Sequence, residues 1–199
     1  MQLEPGPAER LIQVAETVLA EEGLEALSLR QVARRAGLSH GAPLRHFPSL
    51  SALRSEVAAR GFQQLEEAIA KAGAQLPPGS DPLARLALAG RAYVEMAVAN
   101  PDLFALMFRP ELLDQERPAF VQHSIAAFDQ LVQGVRAAQD AGFHPGRDTR
   151  ILAGAVWAAV HGLATLWAQG AFAVPTGASL EQALSTTLSL MVPIEGEIR

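Results

Sequence analysis

The sequence predicts an all-α protein, and three observations carry that prediction. Ala and Leu recur at spacings of three and four residues for most of the length, β-branched and aromatic residues never alternate for long, and Gly, Pro, Ser and Asn fall where helices would start and stop. About nine helices are expected. Leu11, Val14, Ala15, Val18 and Leu19 share one helical stripe, and Gly23 stands where a glycine ends a helix, so the first helix spans roughly 8 to 22. Ser28 caps a short helix carrying Leu29, Val32 and Ala33 inward, and Gly37 stops it. Ser39 caps a second short helix that breaks at Phe47-Pro48, and Ser49 or Ser51 opens a long one through Leu53, Val57, Phe62, Leu65 and Ile69. The run Pro77 to Pro82 is a helix-helix connection, after which helices are expected at about 82 to 99, 101 to 108, 117 to 141, 148 to 170 and 179 to 192.

Composition narrows the function classes. Hydrophobic residues make up 49% of the 199 and charged residues 19%, which suits an ordered globular chain and not a disordered one. Cysteine is absent, so disulfides and thiolate metal sites are excluded, and the N-terminus lacks a secretory pattern; a cytoplasmic address is expected. The segment Ile151 to Val174 holds no Asp, Glu, Lys or Arg. It is alanine-dominated and interrupted by Gly154, His161, Gly162, Thr165 and Gln169, and no basic clusters flank it. It therefore reads as a helix buried by neighbours or by a second subunit, not as a membrane span.

The formal net charge is -5, but its distribution is uneven. Residues 1 to 27 sum to -5, residues 28 to 60 hold six arginines against the single acid Glu56 for a sum of +5, and residues 61 to 199 sum to -5. One short cationic block in an acidic remainder can meet a polyanion on one face only. Within that block, residues 28 to 47 read as two short helices joined at Ala36-Gly37-Leu38-Ser39: glycine supplies the positive φ of a tight turn, Leu38 plugs the angle and Ser39 caps the second helix. This is helix-turn-helix grammar, whose second helix lies in the major groove. On that reading His40, Ala42 and Pro43 face base edges and Arg45 reaches guanine or phosphate, while Ser28, Arg30, Ser39 and His46 position the motif on the backbone.

The stretch from Glu22-Gly23-Leu24 to His46-Phe47, with Ser28, Val32-Ala33, Ala36-Gly37-Leu38-Ser39 and Gly41 in register, resembles the N-terminal signature of TetR-type regulators. Arg91-Ala92-Tyr93, Asn100-Pro101, Leu106-Met107-Phe108 and Trp157 with His161-Gly162 resemble the C-terminal region named for its Trp-His-Gly pattern in one branch of that family. The resemblance implies a homodimeric repressor that binds palindromic double-stranded DNA through residues 1 to 48 and a small effector through residues 49 to 199, the helix from about 49 to 73 connecting the two. The family usually has tyrosine where this chain has Leu44 and often lysine near Leu50, both of which touch phosphates, so backbone contact is expected to shift to Arg30, Arg45 and Arg54.

Beyond residue 60 there is no nucleophile elbow, phosphate loop or metal-ligand spacing, and neither an enzyme, a metal nor a cofactor is expected. Tyr93, Met96, Phe104, Met107, Phe108, Phe120, Phe128, Trp157 and His161 concentrate aromatic and methionine side chains in a chain that is only 6% aromatic, and would line a pocket for a largely apolar effector. His161, one turn after Trp157, is the polar handle. Leu180, Ala183, Leu184, Leu188 and Met191 would form a dimer face shared by two-fold symmetry. The rival is a ligand-binding module that keeps the helix-turn-helix only as scaffold.

Overall fold

The computed structural model describes residues 6–39 and 41–191 of the chain. Its α-helices are α1 (Pro7–Glu22), α2 (Leu29–Arg35), α3 (Leu50–Gly73), α4 (Pro82–Ala99), α5 (Pro101–Met107), α6 (Pro118–Asp140), α7 (Thr149–Ala168), α8 (Ala173–Thr176) and α9 (Leu180–Met191). Single 3-10 turns at Leu24–Ala26, Pro43–Arg45 and Pro110–Leu112 join some of them, and no strand occurs among the described residues. The fold is all-α, as the periodicity requires.

Local chemistry sets the helix ends. Pro7 and Pro101 stand at the N-terminal ends of α1 and α5, where a missing N–H costs nothing. Ser28 Oγ accepts the Gln31 amide at 3.3 Å to cap α2, and Asp148 accepts the Ile151 amide at 2.9 Å to cap α7. At the end of α2, Gly37 takes φ 68°, its N–H reaching the Arg34 carbonyl at 3.2 Å while Leu38 N–H reaches Ala33 at 3.0 Å. That paired pattern is a Schellman motif, and it makes the tight turn read from the sequence.

Two stretches differ from expectation. Where a second short α-helix is expected, the described residues 41 to 47 hold one 3-10 turn, Pro43–Arg45. Pro43 begins the turn without an amide to donate, the Ala42 amide is bonded to the Ser39 carbonyl at 3.0 Å, and Ser39 makes no side-chain cap. The break expected around Pro175 holds the four-residue α8, which ends at Gly177 with φ 64°.

The chain forms two compact units interleaved in sequence. The first comprises the described part of Met1–Gln63 with Asn100–Ile125, and the second comprises Gln64–Ala99 with the described part of Ala126–Arg199. In the first unit α1 packs on α2 and α5, burying Leu11, Val18, Leu19, Leu27, Val32, Leu53, Val57 and Leu106 almost completely. In the second, α7 packs on α4 and α9, and Leu86, Val135, Ala138, Phe143, Ala153 and Val156 form a contiguous cluster. Helix α7 is long and apolar enough by length and composition to cross a membrane, with a mean hydropathy of 1.6. Its face of Ala153, Val156, Val160, Leu163 and Ala164 is buried within the unit, while Ile151 and Leu166 stay exposed.

Candidate nucleic-acid interface and sensing site

The reading element hangs on a buried proline. Pro43 is among the most deeply buried side chains, and Phe47, which closes the turn, is 2% exposed; the Phe47 amide is bonded to the Pro43 carbonyl at 2.8 Å. Pro43 therefore does not face base edges, which corrects the sequence reading. Its ring fills the apolar angle beneath the turn and leaves Leu44, Arg45 and His46 pointing outward. Leu44 is 57% exposed, a large apolar side chain that the fold does not use. Gly41 and Ser39 are exposed and Ala42 is half-buried, whereas His40 lies outside the described residues.

The cationic block is partly neutralised from α1. Arg35 pairs with Glu21 at 2.6 Å and with Glu22 at 3.4 Å, and Arg60 pairs with Glu9 and, at 3.0 Å, with Glu16. Burial raises the Glu16 carboxyl above its ordinary value although Arg60 works against that shift. Arg34 reaches the Gln31 side chain at 2.7 Å and remains exposed. Arg30, Arg34 and Arg45 are exposed and have no ion pair among the described residues, so they are the cations left for an outside anion. Ser28 spends its hydroxyl on the α2 cap. Arg54, expected at the DNA backbone, instead turns inward. Its Nη2 lies 3.5 Å from the Leu27 carbonyl, its Nε is buried without a hydrogen-bond partner, and desolvation holds its pKa below the ordinary arginine value.

The first unit also contains an anchor that no sequence pattern announced. The reader is tied to residues 102 to 120 by the Leu24 amide on Asp102 (3.2 Å), by a reciprocal pair in which Ser55 Oγ donates to the Asp114 carbonyl (3.0 Å) and accepts the Asp114 amide (2.8 Å), and by Arg117 on Glu56 (2.6 Å). Ser55 is fully buried. Phe62 meets Phe108 and Phe120 edge-on at 5.6 and 6.0 Å, and Phe104 meets Phe108 at 5.1 Å. Phe104, Met107 and Phe108, expected in the effector pocket, thus pack around α3 in the first unit.

The other expected pocket residues gather in the second unit. Trp157 Nε1–H donates to the Tyr93 hydroxyl at 3.0 Å, and that hydroxyl lies 2.8 Å from His161 Nδ1. An indole can only donate, so the Tyr93 hydroxyl accepts from Trp157, and it can donate to Nδ1 when the His161 ring is neutral with its proton on Nε2. Burial agrees: it holds His161 below the ordinary imidazole value and pushes the Tyr93 phenol far above its own. Phe128 stands edge-on to Trp157 at 6.1 Å, and buried Met96 lies one turn along α4 from Tyr93. Among the described residues no group of three His, Asp or Glu is placed to hold a metal ion.

The expected dimer stripe needs correction as well. Ala183 and Leu184 are 3% and 1% exposed inside their own unit, and Leu188 is half-buried, with Cδ2 3.0 Å from where a Cβ on Gly90 would stand. A helix with one apolar stripe spends it on the nearest core, and here that core is α4 and α7. Leu180 is half-buried, and the Met191 side chain lies outside the described residues.

A helix-turn-helix that closes in an exposed cationic turn, followed by a helical remainder, defines a DNA-binding transcription regulator. Residues 11–57 match the family model "Bacterial regulatory proteins, tetR family", and residues 86–189 match "Tetracyclin repressor-like, C-terminal domain", so the chain belongs to the TetR family of regulators, which are transcription factors and not enzymes. A protein of unknown function from Rhodococcus sp. RHA1 is 33% identical, with 94% of each chain covered and a TM-score of 0.81. The TetR family transcriptional regulator PfmR from Thermus thermophilus shares the fold at 21% identity, covering 94% of this chain and 100% of its own, with a TM-score of 0.65. A second Rhodococcus transcriptional regulator gives 24%, 94%, 96% and 0.66 for the same quantities. No curated protein sequence matches.

Proposed function

We propose that the protein is an effector-responsive repressor that binds a palindromic operator as a homodimer. The observation that carries the reading is the exposure of Arg30 on α2 and of Ser39, Leu44, Arg45 and His46 beyond the Schellman turn, built on a core that hides Pro43 and Phe47. Arg30 and Arg45 supply phosphate or guanine contacts, and Leu44 supplies apolar contact to sugar or thymine methyl where the family carries a tyrosine. The Tyr93–His161–Trp157 network is the proposed recognition centre for a largely apolar effector with one polar group.

A second copy is the proposed cover for α7. Ile151, Ala155, Ala158, Gly162 and Leu166 follow one another at helical spacing on a side that the unit leaves open or only half-covered, and Val174 and Leu190 are 86% and 80% exposed. Small residues between larger ends allow two such helices to approach closely, and a two-fold axis would present two readers about one DNA turn apart.

A gel-shift titration against the intergenic DNA upstream of the gene, repeated over a salt series, tests the reading. Log affinity should fall linearly with log salt as phosphate contacts release counterions. A flat salt response would leave the helix-turn-helix as mere scaffold. Arg45→Ala should weaken binding and reduce the slope by about one if its contact is to phosphate, and relax sequence preference if it is to guanine.

A further inference from the structure

We propose that Arg117, 70 residues beyond the end of the helix-turn-helix, is a positioning residue for DNA reading. It holds Phe47 in place and neutralises Glu56, the only carboxylate in the cationic block of residues 28 to 60. The affinity arm of its test rests on the operator reading above; the rest does not.

Among the described residues the Arg117 guanidinium makes two contacts, one with Phe47 of the reading turn and one with Glu56 of the helix that follows it. Its guanidinium carbon stands 5.8 Å from the centroid of the Phe47 ring, within the range of a cation–π contact. Its Nε donates to Glu56 Oε1 at 2.6 Å, with side-chain exposures of 26% and 20% for the two partners. Phe47 is the residue whose amide closes the turn on Pro43, and Glu56 sits near the start of α3, which follows the turn directly. One side chain therefore braces the turn and the helix after it.

The chain before α6 is built to aim this arginine. Pro118 opens α6 with its φ preset, and the Val121 amide bonds the Arg117 carbonyl at 3.0 Å. The Asp114 carboxylate accepts the Glu116 amide at 3.2 Å, and the Arg117 amide bonds the Asp114 carbonyl at 3.2 Å. Asp114 is itself held at both its backbone amide and its carbonyl by the buried Ser55 hydroxyl. A residue placed this firmly, at least half-covered and hydrogen-bonded to a carboxylate, is fixed in direction in a way that a solvated arginine is not.

The electrostatic effect adds to the mechanical one. Without Arg117, Glu56 would be a poorly solvated carboxylate beside the surface that must accept phosphates, opposing Arg30 and Arg45. With it, the block presents only cations outward.

The experiment compares full-length wild type with Arg117→Met, which keeps the stem and loses the guanidinium, and with Arg117→Met combined with Glu56→Gln. Amide hydrogen exchange is followed in the free protein, and affinity is followed on a duplex that the wild type selects from a random-sequence pool. Arg117→Met should speed exchange of the His46 and Phe47 amides roughly tenfold while amides of α1 keep their rates. It should also weaken DNA binding roughly tenfold with an unchanged salt slope, and Glu56→Gln should recover part of that loss. Unchanged exchange at Phe47 overturns the positioning role. A salt slope reduced by one would make Arg117 a phosphate ligand and overturn it too, and no recovery with Glu56→Gln would overturn the neutralising role. Should Arg117→Met unfold, Arg117→Lys keeps the charge and the fold and is expected to show the same local loosening at Phe47. If the wild type selects no duplex, the operator reading fails, and the exchange arm still decides this one.

Discussion

The two units hold themselves together by different means. The first buries large side chains, Leu11, Leu19, Leu27, Leu53 and Leu106 among them, and pins its reader with hydrogen bonds and ion pairs from residues 102 to 117. The second buries large side chains of its own, Tyr93, Met96, Val135, Phe143 and Leu184 among them, and links α4 to α7 through the polar network of Tyr93, Trp157 and His161. The difference lies in the polar links: those of the first unit run from residues 102 to 117 to the reader, and those of the second join two neighbouring helices side by side.

The comparison breaks first under truncation. Leu53→Ala should cost about 3 kcal/mol, because a fully buried leucine leaves a cavity, whereas Ala153→Gly should cost about 1 kcal/mol, mostly as helix propensity. Urea unfolding of both variants checks the ratio, and equal losses would mean that the Leu53 site closes up when truncated. Ser55→Ala comes next, at about 2 kcal/mol, because the part-buried Asp114 amide loses its acceptor beside a fully buried site; Tyr93→Phe should cost about 1 kcal/mol, with the Trp157 indole still half-exposed.

Overpacking sharpens the contrast. A Cβ on Gly61 would lie 2.6 Å from Met107 Sδ and 2.8 Å from its Cγ, against 3.0 Å from Leu188 Cδ2 for Gly90. Gly61→Ala should therefore destabilise by about 2 kcal/mol and Gly90→Ala by about 1 kcal/mol or less, measured as midpoint shifts at constant m. The smallest effect is on pH. His161 has its folded pKa depressed, so the unfolded chain takes up a proton first. Its contribution is intact above the ordinary histidine value and is lost as pH falls from about 6.5 toward the folded pKa. His161→Gln should flatten that limb of the stability profile.

Much of the fold and part of the site are legible in the residues. Gly37 demands a positive φ and has it, Ser28 caps α2, and Trp157 and His161, one turn apart on α7, do share a face and reach the same Tyr93 hydroxyl. Direction is what the local pattern leaves open. Periodicity says which residues share a face and not which neighbour that face meets, so Pro43 turns into the core and Ala183 and Leu184 meet their own unit. Arg117 carries no signal at all. Its role depends on a contact 61 residues away in sequence, and no local pattern encodes such a distance.

The interleaving of the two units has a consequence for synthesis. The first unit includes Asn100–Ile125, so a ribosome must extend the chain to Arg117 before the Leu24 amide, the Ser55 hydroxyl and the Glu56 carboxylate all have their partners. The helix-turn-helix is made first but completed late. A fragment ending at Gln63 would emerge with those three groups unanswered, and the nascent chain passes through that same state each time the protein is made.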